Sequence, residues 1–219
     1  ASEFEELPQM NVDHGSGLER WVAAIRNDAD MFNIDVFAEA KSTLEKISGV
    51  PYVSDIAVTY TDLKNPTFAY RVILDHIRAA TLLIGDDVLP GNKDQMYFVR
   101  RLIRRAVRYA RNLGIHTNFI AEVAVSFIEY YKDEYKNLEE KRGTILLELT
   151  REEEKFRKTL ESGMKEFEKI AQSTISGGNA FNLLQSFGFP IELTEELAKE
   201  RGIIVDREAF EVEKKKHSE

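Results

Sequence analysis

Apolar positions recur at helical spacing along most of the chain. Leu18, Trp21, Val22 and Ile25 stand three and four apart, as one face of a 3.6-residue helix requires. Val36, Phe37, Ala40, Leu44 and Ile47 repeat the pattern over residues 33–48, and Gly49 offers a C-terminal stop. From Thr67 onward Ala69, Val72, Ile73, His76, Ala80 and Leu83 share a face. A turn at 86–92 leads to a further helix over 93–112, closed by Gly114. The spacing predicts more helices at 118–138, 150–172 and 180–186. Another follows at 194–201, capped by Thr194 and ended by Gly202, and the charged tail from 205 is also helical. Only two stretches read as extended: a strand end at 9–13 and a short strand at Ile56-Ala57-Val58-Thr59-Tyr60. Residues 173–179, with Gly177-Gly178, read as a flexible break.

Composition narrows the class. The chain has 219 residues, 43% hydrophobic and 31% charged, which is too apolar for a disordered segment and enough for one large domain or two small ones. No run approaches the ~18 apolar residues of a membrane span, and the first residues lack a secretory pattern. Cys 0 excludes disulfides, thiol catalysis and thiolate metal sites. The expectation is a cytoplasmic protein with no membrane partner.

Net charge is −8, which by itself argues against a nucleic-acid partner. The distribution changes that. Residues 93–111 carry seven basic side chains and one acid, a local charge of +6 that leaves −14 for the remaining residues. Val99, Leu102, Ile103, Ala106 and Ala110 form the buried stripe of this helix. Arg100, Arg101, Arg104, Arg105, Arg108 and Arg111 fall on the other side. Two readings compete: a solvated face balanced by distant acids, or a surface for a polyanion. The helix has almost no acids of its own to pair at i,i+4, and guanidinium groups suit phosphate, so nucleic-acid contact is favoured.

Three other features were weighed. Asn11-Val12-Asp13-His14-Gly15-Ser16-Gly17-Leu18-Glu19-Arg20 reads as strand, glycine turn and helix. It places a carboxylate before the turn and an arginine in the first helical turn, but the third glycine of a dinucleotide fingerprint is missing. His14, His76, His116 and His217 show no ligand spacing, and His76 beside Asp75 reads as a hydrogen-bonded core histidine. Glu152-Glu153-Glu154 reads as a solvated face balanced by Lys155, Arg157 and Lys158.

Four segments in order carry a resemblance. Residues 11–20 resemble the third signature motif of class II aminoacyl-tRNA synthetases in the alanyl form. Residues 70–81 (Tyr-Arg-Val-Ile-Leu-Asp-His-Ile-Arg-Ala-Ala-Thr) and 100–106 (Arg-Arg-Leu-Ile-Arg-Arg-Ala) are similar to the start of that family's tRNA-recognition region. Phe187-Gly188-Phe189-Pro190-Ile191-Glu192-Leu193-Thr194 is similar to a segment near its end. The resemblance covers nearly the whole chain.

It implies a fragment of an alanine–tRNA ligase, inactive alone: residues 1–32 as the end of an antiparallel-sheet catalytic domain, then 33–219 as a mainly α, helical domain that docks the tRNA acceptor stem. The substrates implied are alanine, ATP with Mg2+, and tRNA(Ala), with no DNA partner and no metal site of its own. Asp13 matches the acid that holds the alanine amino group. Gly15 and Gly17 match the turn shaping the alanine pocket, and Arg20 the arginine that binds ATP phosphates. Asn92 matches the asparagine that reads a G·U pair, and the aspartate that assists it aligns with Gln185. Arg100, Arg101, Arg104, Arg105 and Arg108 would position the RNA backbone.

The chain departs from the family at three places. His14 and Ser16 replace a threonine and a methionine, Lys93-Asp94-Gln95-Met96 replaces Glu-Gly-Arg-Gly, and Gln185 replaces aspartate. An aspartate only accepts hydrogen bonds, whereas a glutamine also donates. Two other classes compete with the ligase: a non-catalytic RNA-binding module, and a helical interaction protein whose basic face meets an acidic partner.

Overall fold

The computed structural model describes residues 15–59 and 61–217. The expected strand end at 9–13 lies outside them, as do Asp13 and His14. Ten α-helices and two very short strands follow in chain order among the described residues: α1 Leu18–Ile25, α2 Asp35–Ser48, α3 Pro66–Gly85, α4 Asp94–Ala110, α5 Ile120–Tyr131, α6 Lys136–Glu140, α7 Arg142–Ile170, β1 Thr174–Ile175, α8 Gly177–Phe187, α9 Ile191–Lys199, β2 Ile204–Val205 and α10 Arg207–Lys216.

Local chemistry sets most of the boundaries. Asn65 accepts from Thr67 N and Pro66 fills the first position of α3, where a missing N–H is harmless. Gly49 ends α2 in the left-handed conformation at φ 69°, as an L side chain would resist. α3 is the central rod: Tyr70, Ile73, Leu74 and Ile77 are buried along it, and it packs most extensively on α4. α5 and the 29-residue α7 close the same core. α8 packs on α7, and α9 and α10 pack on α8, with Phe156, Phe167, Phe189 and Phe210 all buried.

Several expectations are corrected. The helix at 118–138 is two helices, α5 and α6, because Leu138 must turn back to fill the space beside Gly85, where an added Cβ would lie 2.4 Å from it. α9 begins at Ile191, with Thr194 inside it; Pro190 holds the N-cap position and the Thr194 hydroxyl donates to Pro190 O at 3.5 Å. Residues 56–59 form a turn and coil, not a strand. Arg71 donates to Asp55 O at 2.9 Å and Val58 O at 3.2 Å, drawing the connector around its guanidinium. The same arginine meets Asp30, itself bonded by Tyr52 and Ser54.

Residues 173–179 form a built joint. Thr174 and Ile175 pair in parallel with Ile204 and Val205, and Ser176 accepts from Asn179 N to start α8. Glycine is required at 177, where a Cβ would lie 2.3 Å from the backbone of Ala209 and Phe210.

Of the acidic run 152–154 only Glu154 lies on a solvated face, with Lys155 exposed beside it. Glu152 is 5% exposed and Glu153 is fully buried. Glu153 accepts from the N–H groups of Phe119 and Ile120 and from Arg157, so it caps α5 from the side of α7. Burial pushes its carboxyl up against those contacts.

His76 is a buried, hydrogen-bonded histidine, as read. Nδ1 lies 2.9 Å from Asp75 and Nε2 lies 2.7 Å from Arg105 Nη1. An arginine can only donate, so Nε2 accepts and the ring is neutral, with its proton on Nδ1. Burial holds its pKa below the ordinary histidine value, with the Arg105 charge adding to the effect.

Two predictions follow from this packing. Gly177→Ala is expected to destabilise the chain by about 1–3 kcal/mol in thermal or urea unfolding, the usual range for overpacking. Gly178→Ala, with nothing within 4 Å, is expected to be neutral or stabilising, and equal effects would refute the contact. The second concerns pH. The unfolded chain protonates His76 below about pH 6.5 while the folded chain resists, so the folded state loses stability as pH falls below that value. His76→Gln keeps a donor for Asp75 and an acceptor for Arg105 and should lose less stability between pH 7.5 and pH 5.5 than the parent.

Candidate nucleic-acid interface

α4 sorts its residues as read. Val99, Leu102, Ile103, Ala106 and Ala110 are all buried. The helix has almost no acids of its own, but its arginines are not left to an external polyanion, because acids from other helices meet them. Arg101, Arg105 and Arg108 meet Glu192, Glu196 and Glu200. These glutamates stand four apart on α9 and its C-cap, so two helices lie side by side with matching charge ladders. Arg111 meets Glu161 at 2.6 Å. Arg104 and Arg108 are only 6% and 5% exposed.

Arg104 is the most deeply engaged of these. Its Nε donates to Glu152 Oε1 at 2.7 Å and its Nη1 to Gly188 O, while its plane lies 5.3 Å from the Phe156 ring centroid. Burial draws its pKa below the ordinary arginine value, and the Glu152 charge opposes this. Glu152 also holds Arg100, whose Nε lies 3.2 Å away as an ion pair without the alignment of a hydrogen bond. Arg100 Nη1 in turn donates to Asn92 Oδ1.

The loop carrying Asn92 is shaped by its neighbours. Gly91 N donates to Met96 O at 2.9 Å, and a Cβ on Gly91 would lie 2.7 Å from that of Met96. Asp94 takes φ 47°, in the left-handed region, at a position where the resembled family has glycine. On the facing side, α8 ends at Gly188 with φ 71°. Gln185, on the last turn of α8, is exposed, and its side chain makes no hydrogen bond with the described residues.

Asn92 and Gln185 line one cleft. Its volume is about 700 Å³, and Tyr97, Arg100, Arg104 and Lys214 line it with them. An adjoining recess of about 230 Å³ shares Asn92, Arg100 and Gln185 and adds Lys155. Two residues 93 positions apart, carried over from the resemblance singly, thus face the same space. Sequence reasoning missed Tyr97, Lys155, Lys214 and His217 on these walls. The basic run at 214–216 was visible in the tail, but only the docking of α10 on α8 brings it to the cleft. Tyr97 is pushed up to about 12 by burial and by Glu192, so it stays a neutral hydroxyl.

The glycine turn lies elsewhere. Gly15, Ser16, Gly17, Arg20 and Trp21 line a shallow recess of about 350 Å³ that shares no residue with the cleft. Gly17 caps α1 with φ −74°, so positive φ is not its reason for being glycine. A Cβ there would meet only the Arg20 side chain, at an ordinary contact distance of 3.4 Å from Cδ, so packing among the described residues does not demand glycine either. Arg20 is exposed and forms no ion pair with the described residues, unlike the α4 arginines. Most of the apolar stripe of α1 is also exposed, with Leu18 at 71% and Ile25 at 82%, while Val22 packs against the core. Arg78 ties α1 to the core by pairing with Glu19 at 2.6 Å. Among the described residues no group of His, Asp or Glu is arranged to hold a metal, and no helix is long and apolar enough to cross a membrane.

Comparison with known proteins bears on this geometry. All of residues 1–219 match the family model described as tRNA synthetases class II (A). An alanine–tRNA ligase of Borrelia hermsii is 40% identical over 222 residues, covering 99% of this chain and 36% of the relative. One of Lactococcus lactis subsp. cremoris is 37% identical over 218 residues, covering 96% of this chain and 24% of the relative. One of Streptococcus pneumoniae serotype 4 is 38% identical over 225 residues, covering all of this chain and 25% of the relative. The chain therefore spans between 24% and 36% of the length of these curated relatives. Matched over its whole length, the chain belongs to the class II (A) family of tRNA synthetases.

Proposed function

We propose that this chain is part of an alanine–tRNA ligase, docks the tRNA acceptor stem in the cleft between α4, α8 and α10, and reads a G·U pair there. The observation that carries the reading is the shared cleft of Asn92 and Gln185. The relatives' names supply alanine and tRNA as substrates, and the family resemblance adds ATP for activation. Arg20 suits ATP phosphates, because it is exposed with no carboxylate partner among the described residues. Asp13, outside those residues, keeps its expected role toward the alanine amino group, and Gly15 and Gly17 theirs in the pocket. Mg2+ would come with ATP, and no residue here is assigned to hold it.

The cleft also supports a division of labour. With Oδ1 taken by Arg100, Asn92 offers its Nδ2 hydrogens, which need an acceptor on a base edge. Gln185 has its carbonyl free to accept from the guanine 2-amino group. Its replacement of aspartate therefore keeps the acceptor that matters. Lys93, Lys155 and Lys214 are exposed on the cleft walls and would meet phosphates. Of the α4 arginines only Arg100 and Arg104 line the cleft, whereas Arg101 and Arg105 face a separate recess with Glu192 and Glu196, and the buried Arg108 is paired with Glu200.

An acceptor-stem hairpin tests the reading. Replacing G·U by inosine·U removes only the 2-amino group and should weaken binding by about 1–3 kcal/mol, the worth of a good base contact. Gln185→Leu should make the two hairpins equivalent, whereas Gln185→Asp should preserve the preference. Equal binding of both hairpins by the parent chain would overturn the reading. Lys214→Ala should weaken all hairpins alike and reduce the slope of log affinity on log salt by about 0.7–0.9. Lys155→Ala should do the same, and an unchanged slope would remove either lysine from the phosphate surface.

A further inference from the structure

We infer that Glu152 is a positioning residue for base reading, acting on both arms of the cleft without touching RNA. Through Arg100 it fixes which end of the Asn92 amide faces the cleft, and through Arg104 it fixes the turn that follows Gln185. This rests on the base-reading role proposed above for Asn92 and Gln185.

The geometry is a branched chain of contacts with one root. Glu152 is 5% exposed and projects from α7. On one branch its Oε1 lies 3.2 Å from Arg100 Nε, and Arg100 Nη1 donates to Asn92 Oδ1. An amide has a donor end and an acceptor end of almost the same shape. A cation at one end decides which is which, because a guanidinium can only donate. Asn92 is on an exposed loop, so without that cation its amide could rotate and present oxygen to the cleft as readily as nitrogen. On the other branch Arg104 Nε and Nη2 both meet Glu152, and Nη1 donates to Gly188 O. Gly188 closes α8 three residues after Gln185, so this contact sets the height of Gln185 over the cleft.

A neutral surrogate separates these effects. Glu152→Gln keeps the shape and one acceptor but loses the charge that orders two arginines. Arg100→Met cuts only the Asn92 branch and leaves Arg104 with Glu152. Affinities of the chain for G·U and G·C acceptor-stem hairpins are measured, with unfolding followed to show that each variant is folded. The parent should prefer G·U roughly tenfold, as one base contact supplies. Both variants should lose that preference, and Glu152→Gln, which touches no RNA, should do so with its affinity for the G·C hairpin within about twofold of the parent. Adding Glu152→Gln to Asn92→Ala should cost no further preference, since contacts in one network do not add.

A tenfold preference retained by either Glu152→Gln or Arg100→Met overturns the inference. Equal losses on both hairpins do so too, since that is general loosening of the fold. If Asn92→Ala abolishes the preference and Glu152→Gln does not, base reading stands and only the positioning role falls. If the parent shows no preference, base reading fails and the positioning role fails with it.

Discussion

A carboxylate withdrawn from water must be met by cations, and the Glu152–Arg104 contact is where that requirement organises this molecule. Breaking a buried pair by removing one partner costs about 3–5 kcal/mol, a large part of the ~5–15 kcal/mol that holds a domain folded. The contact joins α7 to α4, and the free edge of Arg104 reaches the turn between α8 and α9. It also dictates sequence nearby. A Cβ on Gly188 would lie 2.4 Å from Arg104 Nη1, and Gly188 takes φ 71°, so the arginine and the left-handed turn both ask for glycine. Three elements are thereby fixed relative to one another at the point where the cleft is formed.

The remaining α4 arginines extend the same logic along the helix. Glu192, Glu196 and Glu200 repeat every four residues opposite Arg101, Arg105 and Arg108. Half-exposed pairs of this kind contribute little stability each. Their joint effect is on register: sliding α9 by one turn would leave the buried Arg108 without its partner in one direction and Arg101 without its partner in the other. Arg105 adds a second lock, since it also donates to the neutral His76 of α3. The charge that looked like a surface for a polyanion is largely spent inside the protein, in fixing where α9 and α3 sit against α4.

The helical order of the fold was legible because it rests on local signals. The stripe of α4 and the glycines at 49, 188 and 202 declare themselves within a few residues. What was not legible depends on partners far along the chain. Glu152-Glu153-Glu154 beside Lys155 and Arg157 looks like any solvated helix face, yet Glu152 answers Arg104, 48 positions away, and Glu153 answers Phe119 N, 34 away. The α1 stripe failed in the opposite sense: Leu18, Trp21 and Ile25 keep helical spacing yet stay exposed, and only Val22 of the stripe packs against the core. Of the site, Asn92 and Gln185 were reached only through resemblance, since no spacing rule links an exposed loop asparagine to a glutamine 93 positions later. The lysines of the cleft were visible as residues and invisible as a wall.

This changes what the net charge of −8 means. A polyanion is repelled by average charge only at distances comparable with the screening length, about 8 Å at physiological salt. Inside that distance the local arrangement decides. The glutamates of α9 are turned toward the α4 arginines and so present a neutralised seam instead of a negative face. Lys93, Lys155 and Lys214 remain outside it on exposed positions around the cleft, and Gln185 stands among them where an aspartate would subtract a charge. Placing structural cations within and lysines at the rim lets one acidic chain stabilise its own fold with arginine and still offer a basic, uncrowded groove.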